Sequence, residues 1–493
     1  MVNQRAEFET HADAPKRGIY QNIGFVLGPL LAVIIWMSPA PTELGTAGWN
    51  VIAMALWMAA WWATEAVPMP ATSLLPLIIL PLSGVTDVKG ASLPYSSPII
   101  YLLMGGFIIA MAMQRWNLHR RIALMILANF GSKPSSLIGG FMVAAAFLSM
   151  WVSNTATTLM MVPIALSLAD TVVGDDHPRH PFILALLLAI AYAASIGGMG
   201  TPVGTPPNLL VVAYMAETLN VEISFASWMA FGVPVVATMI PAAWFVLTKL
   251  VFKVNQNIKL TGGEMIREEL AKMGPMSTPE KRVAMVFLLV AFSWMFRLYL
   301  IEIEALQNLT DMGIAVMGAV IMFIIPSGSK DAPGTFLLDW DWAVRIPWGV
   351  VLLFGGGLSL AAAITSSGLA IWLGDSLAVL TTWHILAFMG VLVTLVVFLT
   401  ELTSNTATVA ALLPILGAVA IASGIDPMLL AAPAAIAASC AFMLPVATGP
   451  NATIFAGGRI QVPDMVRAGF RINIIAIFLV TSICYLMVPI IFG

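Results

Sequence analysis

Six apolar runs, each long enough or nearly so to cross roughly 30 Å of hydrocarbon, are spread along this chain. They are Ile19 to Met37, Ala47 to Ala63, Phe182 to Met199, Met229 to Leu247, Val283 to Tyr299 and Ile474 to Ile491. Lipid offers no water to an unpaired amide or carbonyl, so such runs must be helices that close their hydrogen bonds internally. A soluble globule is excluded on the same ground, and the composition agrees: of 493 residues, 60% are hydrophobic and 10% charged, with a mean hydropathy of +0.94. The expected fold is an all-α polytopic membrane protein with ten or eleven crossings, plus segments too interrupted to be simple ones.

Arg5, Lys16 and Arg17 precede the first run, and no small-residue cleavage site follows it. That pattern reads as a retained helix behind a cytosolic tail, residues 1–18, in a multi-pass protein of the plasma (inner) membrane. Alternating crossings from there place 20 of the 22 basic residues inside and leave Lys89 and Arg297 near the outer face, as the positive-inside rule requires. The net charge of -3 says little about partners, and nothing suggests nucleic acid. Glu264 to Met273 reads equally as a helix lying along the membrane or as a solvated loop. Cys440 and Cys484 sit in apolar segments and read as buried free thiols. His11, His119, His177, His180 and His384 fall at expected ends or loops and read as solvated.

The chain also repeats itself. Ser153-Asn154-Thr155-Ala156-Thr157-Thr158 returns as Ser404-Asn405-Thr406-Ala407-Thr408-Val409, 251 positions later. Leu102-Leu103-Met104-Gly105-Gly106 matches Leu352-Leu353-Phe354-Gly355-Gly356 at 250, and Val162-Pro163-Ile164 matches Leu413-Pro414-Ile415 at 251. Pro202-Val203-Gly204-Thr205-Pro206-Pro207-Asn208 matches Pro445-Val446-Ala447-Thr448-Gly449-Pro450-Asn451 at 243. Collinear matches of this kind divide the chain into halves, 19–252 and 282–493, with a cytosolic link at 253–281. An odd number of crossings between the copies turns one over relative to the other, the inverted repeat of secondary transporters.

From Lys133 to Asp170 the sequence can enter the bilayer, yet Ser153-Asn154-Thr155 interrupts its middle and cytosolic charges flank both ends. A re-entrant hairpin over 134–170 fits better than one span, with its counterpart at 385–422. Non-helical backbone at a hairpin tip is tolerated only where protein buries it or water reaches it. Asn and Ser are also good helix N-caps, so the second arm can start there with its positive end towards a ligand. A single such motif reads as polar glue between helices, whereas two in opposed halves read as a binding site.

Unwound helices are expected at 200–208 and 444–451, where prolines break the hydrogen-bond ladder and Gly or Ala lets the backbone come close. Freed carbonyls beside hydroxyls suit a hard cation such as sodium, and helix N-termini suit a carboxylate. Neither cluster holds a basic side chain. A bound dianion would therefore be offset by helix dipoles, worth about half a charge each, and by co-bound cations. Two further acids lie among apolar residues, Glu65 and Glu401, and each reads as a structural partner or boundary residue before a proton relay.

Together these residues resemble the divalent anion:sodium symporter family of dicarboxylate and citrate carriers, over Trp57 to Arg471. The resemblance implies about eleven transmembrane helices plus two re-entrant helical hairpins, a homodimer held by scaffold domains, and elevator-type movement of a transport domain. It implies a first sodium site at Ser149, Ser153, Asn154 and Gly204 and a second at Thr400, Thr403, Asn405 and Ala447. The substrate carboxylates would meet Ser153, Asn154, Thr155, Ser404, Asn405 and Thr406, with Thr205 and Thr448 close by. Thr406, in place of the valine of some citrate-carrying relatives, resembles the bacterial C4-dicarboxylate branch. One departure is Thr448-Gly449-Pro450, because relatives often keep proline or alanine where Gly449 stands.

The expectation is thus a sodium-coupled importer of succinate, malate and fumarate, with Na+ as the coupling ion and the lipid bilayer as its medium. The alternatives of the same fold are a sodium-independent dicarboxylate exchanger and a citrate carrier. An intramembrane enzyme is disfavoured, since no His-Glu-x-x-His pair, paired intramembrane aspartates or Ser/His nucleophile is present. A channel is disfavoured for want of a carbonyl-filter repeat.

Overall fold

The computed structural model describes residues 18–131, 133–173, 179–255, 262–376 and 384–493. All but Gly18 of the expected cytosolic tail, part of the 253–281 link, and His11 and His177 lie outside them. Among the described residues every regular element is helical, and no strand forms.

The main helices are α1 (Ile19–Met37), α2 (Gly45–Thr64), α3 (Pro98–Arg115), α4 (Leu118–Leu127), α5 (Pro134–Ser149), α6 (Asn154–Val173), α7 (Pro181–Gly197), α8 (Pro206–Leu219) and α9 (Phe225–Phe245). Then come α10 (Gly262–Lys272), α11 (Thr278–Met295), α12 (Asp311–Ile324), α13 (Trp348–Ser366), α14 (Leu369–Ser376) and α15 (Ile385–Leu399). The last four are α16 (Asn405–Ala422), α17 (Met428–Ala438), α18 (Gly449–Ala456) and α19 (Val462–Ile491). Among the described residues, seven helical stretches are long and apolar enough to cross a membrane, and five shorter apolar ones add to them. Proline opens α3, α5, α7 and α8, where its missing amide costs nothing because the first turn has no intrahelical acceptor for it.

The order α3 to α9 returns as α13 to α19, so the sequence repeat is a repeat of elements. At the centre of each copy stands a helix with little contact with the surroundings. From Phe182 to Gly197 every residue of α7 is buried, and α17 is buried throughout except at Leu429. Helix α7 packs on α5, α6 and α9, and α17 on α15, α16 and α19. The copies are also crossed: α18 of the second half packs on α6 and α7, and α8 of the first half packs on α16 and α17.

The matched glycine pairs serve close packing. A Cβ on Gly105 would lie 2.7 Å from the Ala315 backbone, which lets α3 approach α12, and one on Gly356 would lie 2.4 Å from the Ser73 carbonyl. Helix α10 forms where either helix or loop was open, and it is tied to α4 through Arg120 and Glu269, 3.0 Å apart. Two of the histidines expected at solvated ends stand at helix starts, His384 exposed and His180 half-buried, and also cap them: His180 Nδ1 accepts from the Phe182 amide and His384 Nδ1 from that of Leu386. A third, His119, is buried with Nδ1 3.2 Å from the Met113 carbonyl oxygen. Both cysteines are buried free thiols.

Candidate functional site

Between α5 and α6 the chain turns through Met150–Ser153. The Ser153 hydroxyl accepts from the Ala156 amide at 3.2 Å and so caps the start of α6, while its own side chain stays exposed. Ser149 is buried and donates to Asn154 Oδ1 at 2.5 Å. Opposite this tip α7 stops. Gly198–Gly200 form one tight turn, Thr201 and Thr205 are extended, and α8 begins at Pro206. The Thr201 hydroxyl donates to the Met150 carbonyl at 2.5 Å, which fixes the break against the hairpin turn.

The absence of a side chain at Gly198 is what brings these groups together. A Cβ there would lie 2.7 Å from Asn154 Oδ1 and 3.1 Å from the Gly204 carbonyl oxygen. Ser149, Asn154 and Gly204 thus converge on one spot, lined by neutral oxygens of a hydroxyl, an amide and a peptide. That donor set fits a hard monovalent cation, which needs several oxygens and no fixed geometry.

The second hairpin turns through Thr400–Ser404. Ser404 occupies the N-cap position of α16 without a side-chain capping bond. Thr400 is buried with its hydroxyl donating to the Val396 carbonyl, and the Thr403 and Thr408 hydroxyls lie 2.8 Å apart. Asn405 Oδ1 is buried without a partner among the described residues. Ala447 lies in the second break and is buried, but no hydrogen bond joins it to Asn405. Ser404 and Thr406 are half-buried at the tip.

The two halves meet at Thr155, where a Cβ on Gly449 would fall on Thr155 Oγ1. The departure noted at Gly449 therefore makes room for that hydroxyl. Thr448 caps α18, its hydroxyl accepting from the Asn451 amide at 3.3 Å, whereas Thr205 holds the same position on α8, buried and without such a bond.

Glu401 is anchored rather than poised. Its Oε1 accepts from the amides of Phe442 and Met443 at 2.8 and 2.9 Å and from Asn473 Nδ2 at 2.7 Å. Its Oε2 accepts from the amides of Met443 and Leu444, both at 3.0 Å. A buried carboxylate with no basic partner is tolerated because converging N–H dipoles replace its water. Sequence reasoning missed Asn473, which stands just after Arg471 at the edge of the apolar run of α19, where nothing local marks it as a partner of Glu401. Glu65, by contrast, is exposed at the end of α2.

The profile of the sodium:sulfate symporter transmembrane region family matches residues 21–492. The chain is 41% identical to the sodium-dependent dicarboxylate transporter SdcS of Staphylococcus saprophyticus, over 99% of this chain and 95% of that protein. It is 41% identical to SdcS of Staphylococcus aureus strain USA300, over 96% and 92%. Among solved structures, the YdaH transporter of Alcanivorax borkumensis shares the fold with a TM-score of 0.58 at 13% identity, covering 90% of this chain and 99% of that one. MtrF of Neisseria gonorrhoeae shares it with a TM-score of 0.58 at 13% identity, covering 94% and 93%. With a family profile spanning almost the whole sequence and relatives matching from end to end, the chain belongs to the sodium:sulfate symporter family and is a membrane transporter.

Proposed function

We propose that this protein imports C4-dicarboxylates such as succinate, malate and fumarate across the plasma membrane, coupled to Na+, by an elevator-type alternating-access mechanism. The observation that carries the reading is the pairing of two Ser-Asn-Thr hairpin tips with two broken helices, crossed between the halves. The name of the SdcS relatives supports the cation and the substrate class.

In this reading the chain is a cytosolic tail (1–18), two inverted halves (19–252 and 282–493) and a linker (253–281), assembled as a homodimer. The re-entrant hairpins are 134–170 and 385–422, and the helices expected to unwind at 200–208 and 444–451 stay open up to Thr205 and Thr448, with α8 and α18 starting at Pro206 and Gly449. Ser149, Ser153, Asn154 and Gly204 hold one sodium ion, and Thr400, Thr403, Asn405 and Ala447 a second. Ser153, Asn154, Thr155, Thr205, Ser404, Asn405, Thr406 and Thr448 face the substrate carboxylates. Bound sodium supplies positive charge that no side chain of the site provides. Asn154 and Asn405 belong to both the ion and the substrate groups, so ordering of the tips by sodium completes the carboxylate site, and transport couples the two.

The test is uptake of labelled succinate into liposomes with an inward sodium gradient or with sodium replaced by potassium. Uptake should require sodium and be lost in Asn154→Ala and Asn405→Ala proteins that still fold. Undiminished net uptake in potassium would replace the symporter by an exchanger, and wild-type uptake by either variant would overturn the site.

A further inference from the structure

Each broken helix is held by an asparagine that nothing above assigns to ion or substrate, and the two asparagines make the same bonds. Asn208 Nδ2 donates to the carbonyls of Gly198 and Thr201 at 3.0 and 2.8 Å. Asn451 Nδ2 donates to those of Ala441 and Leu444 at 3.1 and 2.9 Å. In both cases the acceptors stand ten and seven residues earlier in the chain. Both side chains are fully buried, and both leave Oδ1 without a partner among the described residues. A buried side chain that wastes its acceptor while spending both donor hydrogens is retained for the donors.

What the Asn208 donors hold is the wall of the candidate cation site in the first half. Asn208 grips the carbonyl of Gly198, the residue against which Asn154 Oδ1 and the Gly204 carbonyl converge. A Cβ on Gly204 would lie 2.4 Å from that same Gly198 oxygen, so loop and carbonyl are fitted to one another with no slack. A carbonyl freed by a helix break can swing. Pinning two of the carbonyls fixes the path of the loop and with it the direction of the Gly204 oxygen.

We propose that Asn208 and Asn451 are positioning residues that set sodium affinity without touching the ion, an inference that rests on the sodium-coupled reading above. The two staples are not equivalent. The second loop is held from its other side as well, since Glu401 takes the amides of Phe442, Met443 and Leu444. In the first half the position matching Glu401 is Met150, which offers only a backbone carbonyl to Thr201. Asn208 therefore bears more of its loop than Asn451 does.

The experiment measures succinate uptake by liposomes against sodium concentration for wild type, Asn208→Ala, Asn451→Ala and the gentler Asn208→Ser, which keeps one donor. The half-saturating sodium concentration should rise by about tenfold in Asn208→Ala, as expected for loss of buried hydrogen bonds, and by about threefold or less in Asn451→Ala. Asn208→Ser should fall between Asn208→Ala and wild type. The succinate KM at saturating sodium should stay near the wild-type value, while the shifted sodium dependence is what a general loss of folded protein, which lowers only the maximal rate, would not produce. If Asn208→Ala does not reach the membrane, the Asn208→Ser shift decides. A lowered maximal rate with unshifted sodium dependence overturns the proposal, and so does a larger shift in Asn451→Ala than in Asn208→Ala. Sodium-independent uptake by the wild type would instead overturn the symporter reading on which it rests.

Discussion

Arg121 shows how a residue that the positive-inside pattern places on the cytosolic side becomes structural. Its guanidinium meets both Glu280 oxygens, at 2.8 and 3.2 Å, and donates to the carbonyls of Gly274 and Met273, with both side chains almost fully buried. The bonds fasten the segment before α11 to α4. Removing one member of a buried pair leaves the other charged and dry, so Arg121→Leu should destabilise the protein by about 3–5 kcal/mol. Arg121→Leu with Glu280→Gln should recover much of this. Melting curves in detergent read both, and a double variant as unstable as the single one would refute the account. The sequence shows the charge at position 121 and, through the positive-inside pattern, its side of the membrane. It does not show the partner, because Glu280 lies 159 residues away and nothing local marks the two as neighbours.

At the scale of elements, close approach decides. A Cβ on Gly197 would lie 2.3 Å from the Ala146 carbonyl oxygen and 2.4 Å from its Cα, backbone atoms that cannot rotate aside. Gly197→Ala should therefore push α7 off α5 and cost about 1–3 kcal/mol, the range for overpacking. Gly139→Ala, on α5 itself, meets the Trp244 side chain at 3.4 Å and should leave the melting temperature nearly unchanged. Equal melting temperatures for the two variants would contradict the packing argument. The helices themselves were legible, since length and apolarity fix them and proline marks several starts. The second break was less so. Ala434 to Ala438 is a strong helix-forming run, and the helix ends where the amides of Phe442, Met443 and Leu444 turn to Glu401 and not to the carbonyls four residues back. A long-range acceptor of this kind has no local signature.

For the whole molecule, the repeat in the sequence announced two related halves, but the crossing of α18 onto α6 and of α8 onto α16 could not be read from it, because tertiary partners leave no periodicity. The crossing makes the halves mutually dependent for assembly. Alone, the first half would leave α7 without the cover of α18, and the second would leave α17 without that of α8. Chains cut within 253–281 and expressed separately should each be degraded or inactive, and co-expression should restore succinate uptake in cells. Uptake by either fragment alone would refute this. Thr155 against Gly449 is the smallest instance of the same interlock. In the reading proposed above, a molecule bound at that seam would touch parts of the chain encoded almost 300 codons apart, so what either copy tolerates at this point is set by the residue that the other copy places against it.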